Sequence, residues 1–100
     1  MGDADNERVE TTFHMDFAIA ETCGGANAVR DTYKRAFNGW KENYKYLTEL
    51  VMVLNHRCWM WNEKDNALME LYRDLYYKAN DYAIKHLKGA ELRFFFEVTD

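Results

Sequence analysis

The chain is expected to fold as an all-α domain, and three observations carry that expectation. No proline interrupts any of its 100 residues. Apolar side chains recur every three or four positions from Val29 through Tyr33, Ala36, Trp40, Tyr44, Leu47, Val51, Leu54 and Cys58 to Trp61. A second stripe runs through Leu68, Leu71, Leu75, Ala79, Tyr82 and His86. Spacing of this kind places one face of a helix against a core. The short polar segment Glu63-Lys64-Asp65-Asn66 between the stripes leaves the two long helices no choice but to lie antiparallel. The expected architecture is therefore a small helical bundle built on an antiparallel helical hairpin, with a short N-terminal helix and an ambiguous C-terminal tail.

Taken in order, residues 1–11 are polar and acidic and read as a flexible lead, followed by a single helical domain over 12–100. From Val9 to Phe17 apolar and polar residues alternate, which suits a strand, while Asp16 to Cys23 suits a short helix closed by Gly24-Gly25. The helix is the preferred reading. Asn27 can cap the next helix, which continues through Asn38-Gly39 and breaks at Lys41–Asn43. The following helix spans about Tyr44 to Asn62. Asp65 or Asn66 caps the last long one, Ala67 to Leu87, and Gly89 stops it. The tail Leu92-Arg93-Phe94-Phe95-Phe96-Glu97-Val98 fits either a helix or a strand.

Composition narrows the function. An apolar content of 48% argues against disorder. Sixteen of the 100 side chains are aromatic, whereas a domain of this size buries only roughly 65% of its unfolded surface. Some rings must then sit at a rim, where Tyr and Trp serve as contact residues. The formal net charge is −4, which argues against general nucleic-acid binding. Residues 1–25 hold six acids against Arg8, whereas residues 26–45 hold five cations against two acids. Two cysteines cannot build a disulfide scaffold, and neither a signal segment nor a membrane span is evident. Met1-Gly2 does not fit an acylation signal, because Asn6 stands where Ser or Thr is needed. A cytoplasmic protein is expected.

At Asp16-Phe17-Ala18-Ile19-Ala20, Asp31-Thr32-Tyr33-Lys34-Arg35-Ala36-Phe37, Trp40-Lys41, Tyr46-Leu47-Thr48-Glu49-Leu50-Val51 and Leu87-Lys88-Gly89, the chain resembles small uncharacterised proteins of phages and other mobile elements of gut bacteria. The resemblance covers roughly residues 12–100. It implies an accessory protein and assigns no residue a role. The tail Phe94-Phe95-Phe96-Glu97 is more apolar than that group's pattern.

No catalytic, cofactor-binding or metal set survives a test of spacing. His56 and Cys58, two apart on a helix, diverge by about 200°, and a structural zinc site needs closely paired ligands. Cys23 and Cys58 lie near no histidine that their spacing would make a base. The carboxylate pairs Glu42/Glu49 and Glu70/Asp74 read as a solvated face. The reading is thus a non-enzymatic protein–protein interaction protein, self-associating as a homodimer or binding a host protein. Trp59 and Trp61 fall on nearly opposite faces, so one of them leaves the core. The expected interface is Trp59, Met60, Tyr72, Tyr76, Phe94 and Phe95. One alternative is a single-strand nucleic-acid site along a basic aromatic helix, residues 29–45, using Arg30, Lys34, Trp40, Lys41 and Lys45. Another is an acidic inhibitor that engages a host protein through residues 1–25.

Overall fold

The computed structural model describes the backbone of residues 2–99 and the side chains of residues 12–99. Among the described residues five helices follow one another: α1 Gly2–Cys23, α2 Gly25–Trp40, α3 Tyr44–Trp61, α4 Asn66–His86 and α5 Ala90–Thr99. The described residues contain no strand. The all-α class and the antiparallel α3–α4 hairpin agree with the sequence reading. The expected flexible acidic lead, residues 1–11, falls outside the described side chains.

Local chemistry sets most of the boundaries. The Asn43 side chain accepts from the backbone N–H groups of Lys45 and Tyr46 and opens α3. Asp65 does the same for α4, accepting from Leu68 N–H at 3.0 Å. The chain turns at Lys41–Asn43 as the polar cluster there suggests, and α2 runs straight through Asn38-Gly39. Gly89 adopts φ +58 between α4 and α5, a conformation that costs glycine little.

Two boundaries differ from expectation, and the open reading of the tail is resolved. Helix α1 is 22 residues long rather than short; the alternation from Val9 to Phe17 is overridden by the i, i+4 pair Phe13 and Phe17, both buried. Asn27 is not a cap, since α2 begins two residues earlier and the Asn27 amide oxygen accepts from Arg30 Nη1 at 3.1 Å. The tail resolves as helix α5, because only helical spacing lets Phe95 enter the core while Leu92 packs against its edge.

The core lies along the α3–α4 seam. Leu47, Leu50, Val51, Val53 and Leu54 meet Leu71, Tyr72, Leu75, Ala79 and Ala83, all buried. Each Val or Leu among them contributes about 1.5–3 kcal/mol on burial. Ala79 and Ala83, one turn apart on α4, are fully buried and present no bulk to hold the neighbouring helices away. Phe13, Phe17 and Ala20 from α1, Val29 and Tyr33 from α2, and Phe95 from α5 close the remaining sides. His86, expected on the seam, is exposed and leans on the Tyr82 ring with centroids 4.1 Å apart. No helix among the described residues is long and apolar enough to cross a membrane.

Candidate functional site

Two features stand out from the apolar interior, and both are anchored on α3. The first is a buried polar cluster where α1, α3 and α4 meet. Glu21, in the last turn of α1, receives a two-pronged contact from Arg57: Nε donates to Oε2 at 2.9 Å and Nη2 to Oε1 at 2.7 Å. Trp61 Nε1 donates to the same Oε2 at 2.9 Å, and the Tyr72 hydroxyl donates to it as well. The side chains of Arg57 and Glu21 are only 6% and 8% exposed. Arg57 Nη1 also approaches the His14 carbonyl at 3.4 Å. The guanidinium lies 6.0 Å from the Tyr72 ring centre, and Phe17 packs edge-on against that ring.

The charges in this cluster stabilise one another. Burial alone would raise the Glu21 carboxyl pKa, but hydrogen bonds from Arg57, Tyr72 and Trp61 and the guanidinium charge outweigh it and hold it below the usual value. Burial works against the Arg57 charge too, and the bonds and charge of Glu21 hold its pKa above normal. The Tyr72 hydroxyl is pushed far up, first by burial and then by donating to a carboxylate. A carboxylate saturated with donors and depressed in pKa is the opposite of a general base tuned toward neutrality. The geometry makes this cluster a fastener between helices.

The second feature faces outward on the same helix. Trp59 is 69% exposed, and Met60 and Tyr77 stand exposed near it. A hollow of about 280 Å³ on one side of Trp59 is lined by Asn62, Met69, Arg73 and Tyr77. Another of about 320 Å³ on the other side is lined by Met52, His56 and Val98. Asn55 and Tyr76 border both. The Tyr76 and Tyr77 rings lie 5.5 Å apart.

The expected interface residues thus divide. Trp59 and Tyr76 come together on one surface, with Met60 exposed at its border. Tyr72 does not belong to it, being fully buried with its hydroxyl on Glu21. Phe95 is likewise fully buried. Phe94 sits edge-on to Tyr44 at the start of α3, about 22 Å along the helix from Trp59 at 1.5 Å per residue.

The cations expected to line a nucleic-acid groove are also divided. Arg30 and Lys34 lie on α2, whereas Lys41 is in the turn and Lys45 on α3, so no single helical stripe joins them. Lys41 Nζ lies 5.8 Å from the Phe37 ring centre, and Trp40 packs edge-on to Tyr46 at 4.4 Å. Cys58 donates to the Met69 carbonyl, and burial raises its thiol pKa. Glu42, Glu70 and Asp74 are exposed, whereas Glu49 is half-buried.

The Glu21–Arg57 cluster is absent from the sequence reading, although it left a signal. Arg57 follows Leu50, Val53 and Leu54 at helical spacing, and Glu21 follows Phe13 and Phe17. Both charges are therefore in register with buried faces. Comparison with models of protein families, with curated proteins and with solved structures finds no match to this chain.

Proposed function

We propose that this chain is a non-enzymatic, cytoplasmic interaction protein that self-associates through the Trp59 face, in an accessory role for a mobile genetic element. The observation that carries the proposal is the 69% exposure of Trp59 beside exposed Met60 and Tyr77. An indole left in water at this level, with hollows on both sides, is the usual signature of a contact surface. The occupant is a second copy of the same face. Among the described residues, Arg73 is the only Lys, Arg, Asp or Glu lining either hollow, so two copies meet there with little like-charge repulsion. A two-fold pairing would place each Trp59 against the hollow beside the other.

Light scattering across a concentration series tests this. The expected result is a mass that rises from monomer to dimer with concentration, and a Trp59→Ala chain that stays monomeric while keeping its helical circular dichroism. A wild-type chain that remains monomeric at the highest concentration overturns the proposal, as does an unchanged dimer in the variant.

A further inference from the structure

The reversal between α1 and α2 is made at two adjacent glycines. Helix α1 ends at Cys23, α2 begins at Gly25, and Gly24 alone lies between them. Gly24 takes φ −145 and ψ 3, and Gly25 takes φ +63. The turn therefore rests on two glycines, whose dihedrals change with little steric penalty. No side chain among the described residues caps α2 at this end, and the Asn27 amide oxygen is already bonded to Arg30. The opening N–H groups of a helix have no partner within it. If both glycines took helical dihedrals, those N–H groups would bond the carbonyls of the last turn of α1, and α1 and α2 would become one continuous helix.

Straightening carries α1 away from its own α3 and α4. The receptor it vacates is specific: Arg57, Trp61 and Tyr72 converge on one carboxylate, with the pocket for Phe17 beside it. The chemistry that satisfies this receptor is a helix carrying Phe17 and Glu21 one turn apart. A second copy of this chain supplies it, with the complementary charge at the required position. We infer that α1 exchanges between two copies, so that Arg57, Trp61 and Tyr72 of one chain hold the partner's Glu21. Every packed contact of α1 is then remade between chains, and only the turn at Gly24-Gly25 differs. This exchange is independent of the Trp59 face.

The test uses full-length chains that all carry Trp59→Ala, so that dimers through that face do not contribute. Glu21→Arg and Arg57→Glu are placed in separate chains, each unfolded in denaturant and refolded either alone or together. Alone, each opposes like charges in its buried cluster and melts well below its parent. Together, the exchange restores opposite charges at both clusters, one of them with the native Glu21 and Arg57. The expected product is a 1:1 dimer with a Tm close to that of the parent. A mixture that melts as the sum of its two components, with no 1:1 species in native mass spectrometry, overturns the inference. Gly24→Ala provides the second reading, because its Cβ would stand 2.7 Å from the Ala28 Cβ in the closed turn. It should raise the dimer share several-fold; a destabilised monomer instead counts against exchange. Failure of both leaves the Trp59 proposal intact, since that is read with α1 and its turn unaltered.

Discussion

Arg57 and Trp59 stand two residues apart on α3, and each occupies the environment that hydropathy would give the other. Arg57 is 5% exposed, whereas Trp59 is 69% exposed. Two steps along a helix rotate a side chain by about 200°, so whichever face turns inward, these two must part. The aliphatic run Leu47, Leu50, Val51 and Leu54 decides which. It buries the face that carries Arg57, and Glu21 arrives from α1 to neutralise the guanidinium there. Trp59 has no such partner among the described residues. The inner region ties three helices together, and the outer one is left available for contact.

The sharpest way to break this comparison is to remove one half of the inner pair. Arg57→Ala leaves the Glu21 carboxylate buried without its counter-charge, and the expected loss is about 3–5 kcal/mol in urea unfolding. Replacing both partners, with Arg57→Met and Glu21→Gln together, should recover much of that, because no charge then remains to be desolvated and the amide oxygen can still accept from Tyr72 and Trp61. Equal losses in the single and double variants would show that the pair is not what couples α1 to the hairpin. Tyr72→Phe keeps the buried ring and removes only the hydroxyl donated to Glu21. Its expected loss is smaller, about 1.5–3 kcal/mol, the usual worth of a hydrogen bond to a charged group.

Acidity probes the same region without mutation. The folded pKa of Glu21 lies below its ordinary value of 4.5, so in acid the unfolded chain binds the proton more readily. The stabilisation from this group is complete above the unfolded pKa and is lost as pH falls through the folded one. Urea midpoints should therefore drop below pH 4.5, and Glu21→Gln should flatten that part of the profile. A profile unchanged by Glu21→Gln would place the acid-sensitive group elsewhere.

The two regions also differ in how far the amino-acid sequence revealed them. The break at Lys41–Asn43 was legible from its crowded polar residues, and the boundary at Asp65 because capping is local chemistry, complete within four residues. The exposed indole was legible by elimination, since Trp59 and Trp61 cannot share a face. The polar cluster was not, because Glu21 and Arg57 are 36 residues apart and periodicity assigns each a face without naming its partner. Tyr72 was misplaced for the same reason: its hydroxyl suggested a rim position, and only the tertiary arrival of Glu21 makes burial tolerable. At α1, a period-two alternation competed with the i, i+4 pair Phe13 and Phe17, and burial of that pair against the bundle decided for helix.

The smallest expected effect is the one that most directly separates the regions. Trp59→Ala should change monomer stability by no more than about 0.5 kcal/mol, as is usual for an exposed position, whereas Trp61→Phe, two residues on, removes a donor from Glu21 and should cost about 1.5–3 kcal/mol. Combining Trp59→Ala with Arg57→Ala extends the comparison into a double-mutant cycle. Residues on opposite faces of α3 with no shared partner should give losses that add to within about 0.5 kcal/mol. A larger coupling, measured at concentrations where the chain is monomeric, would mean that the outer face feels the state of the inner one. The division of α3 into a fastening side and a contact side would then be wrong, and any partner that binds Trp59 would also alter the hold on α1.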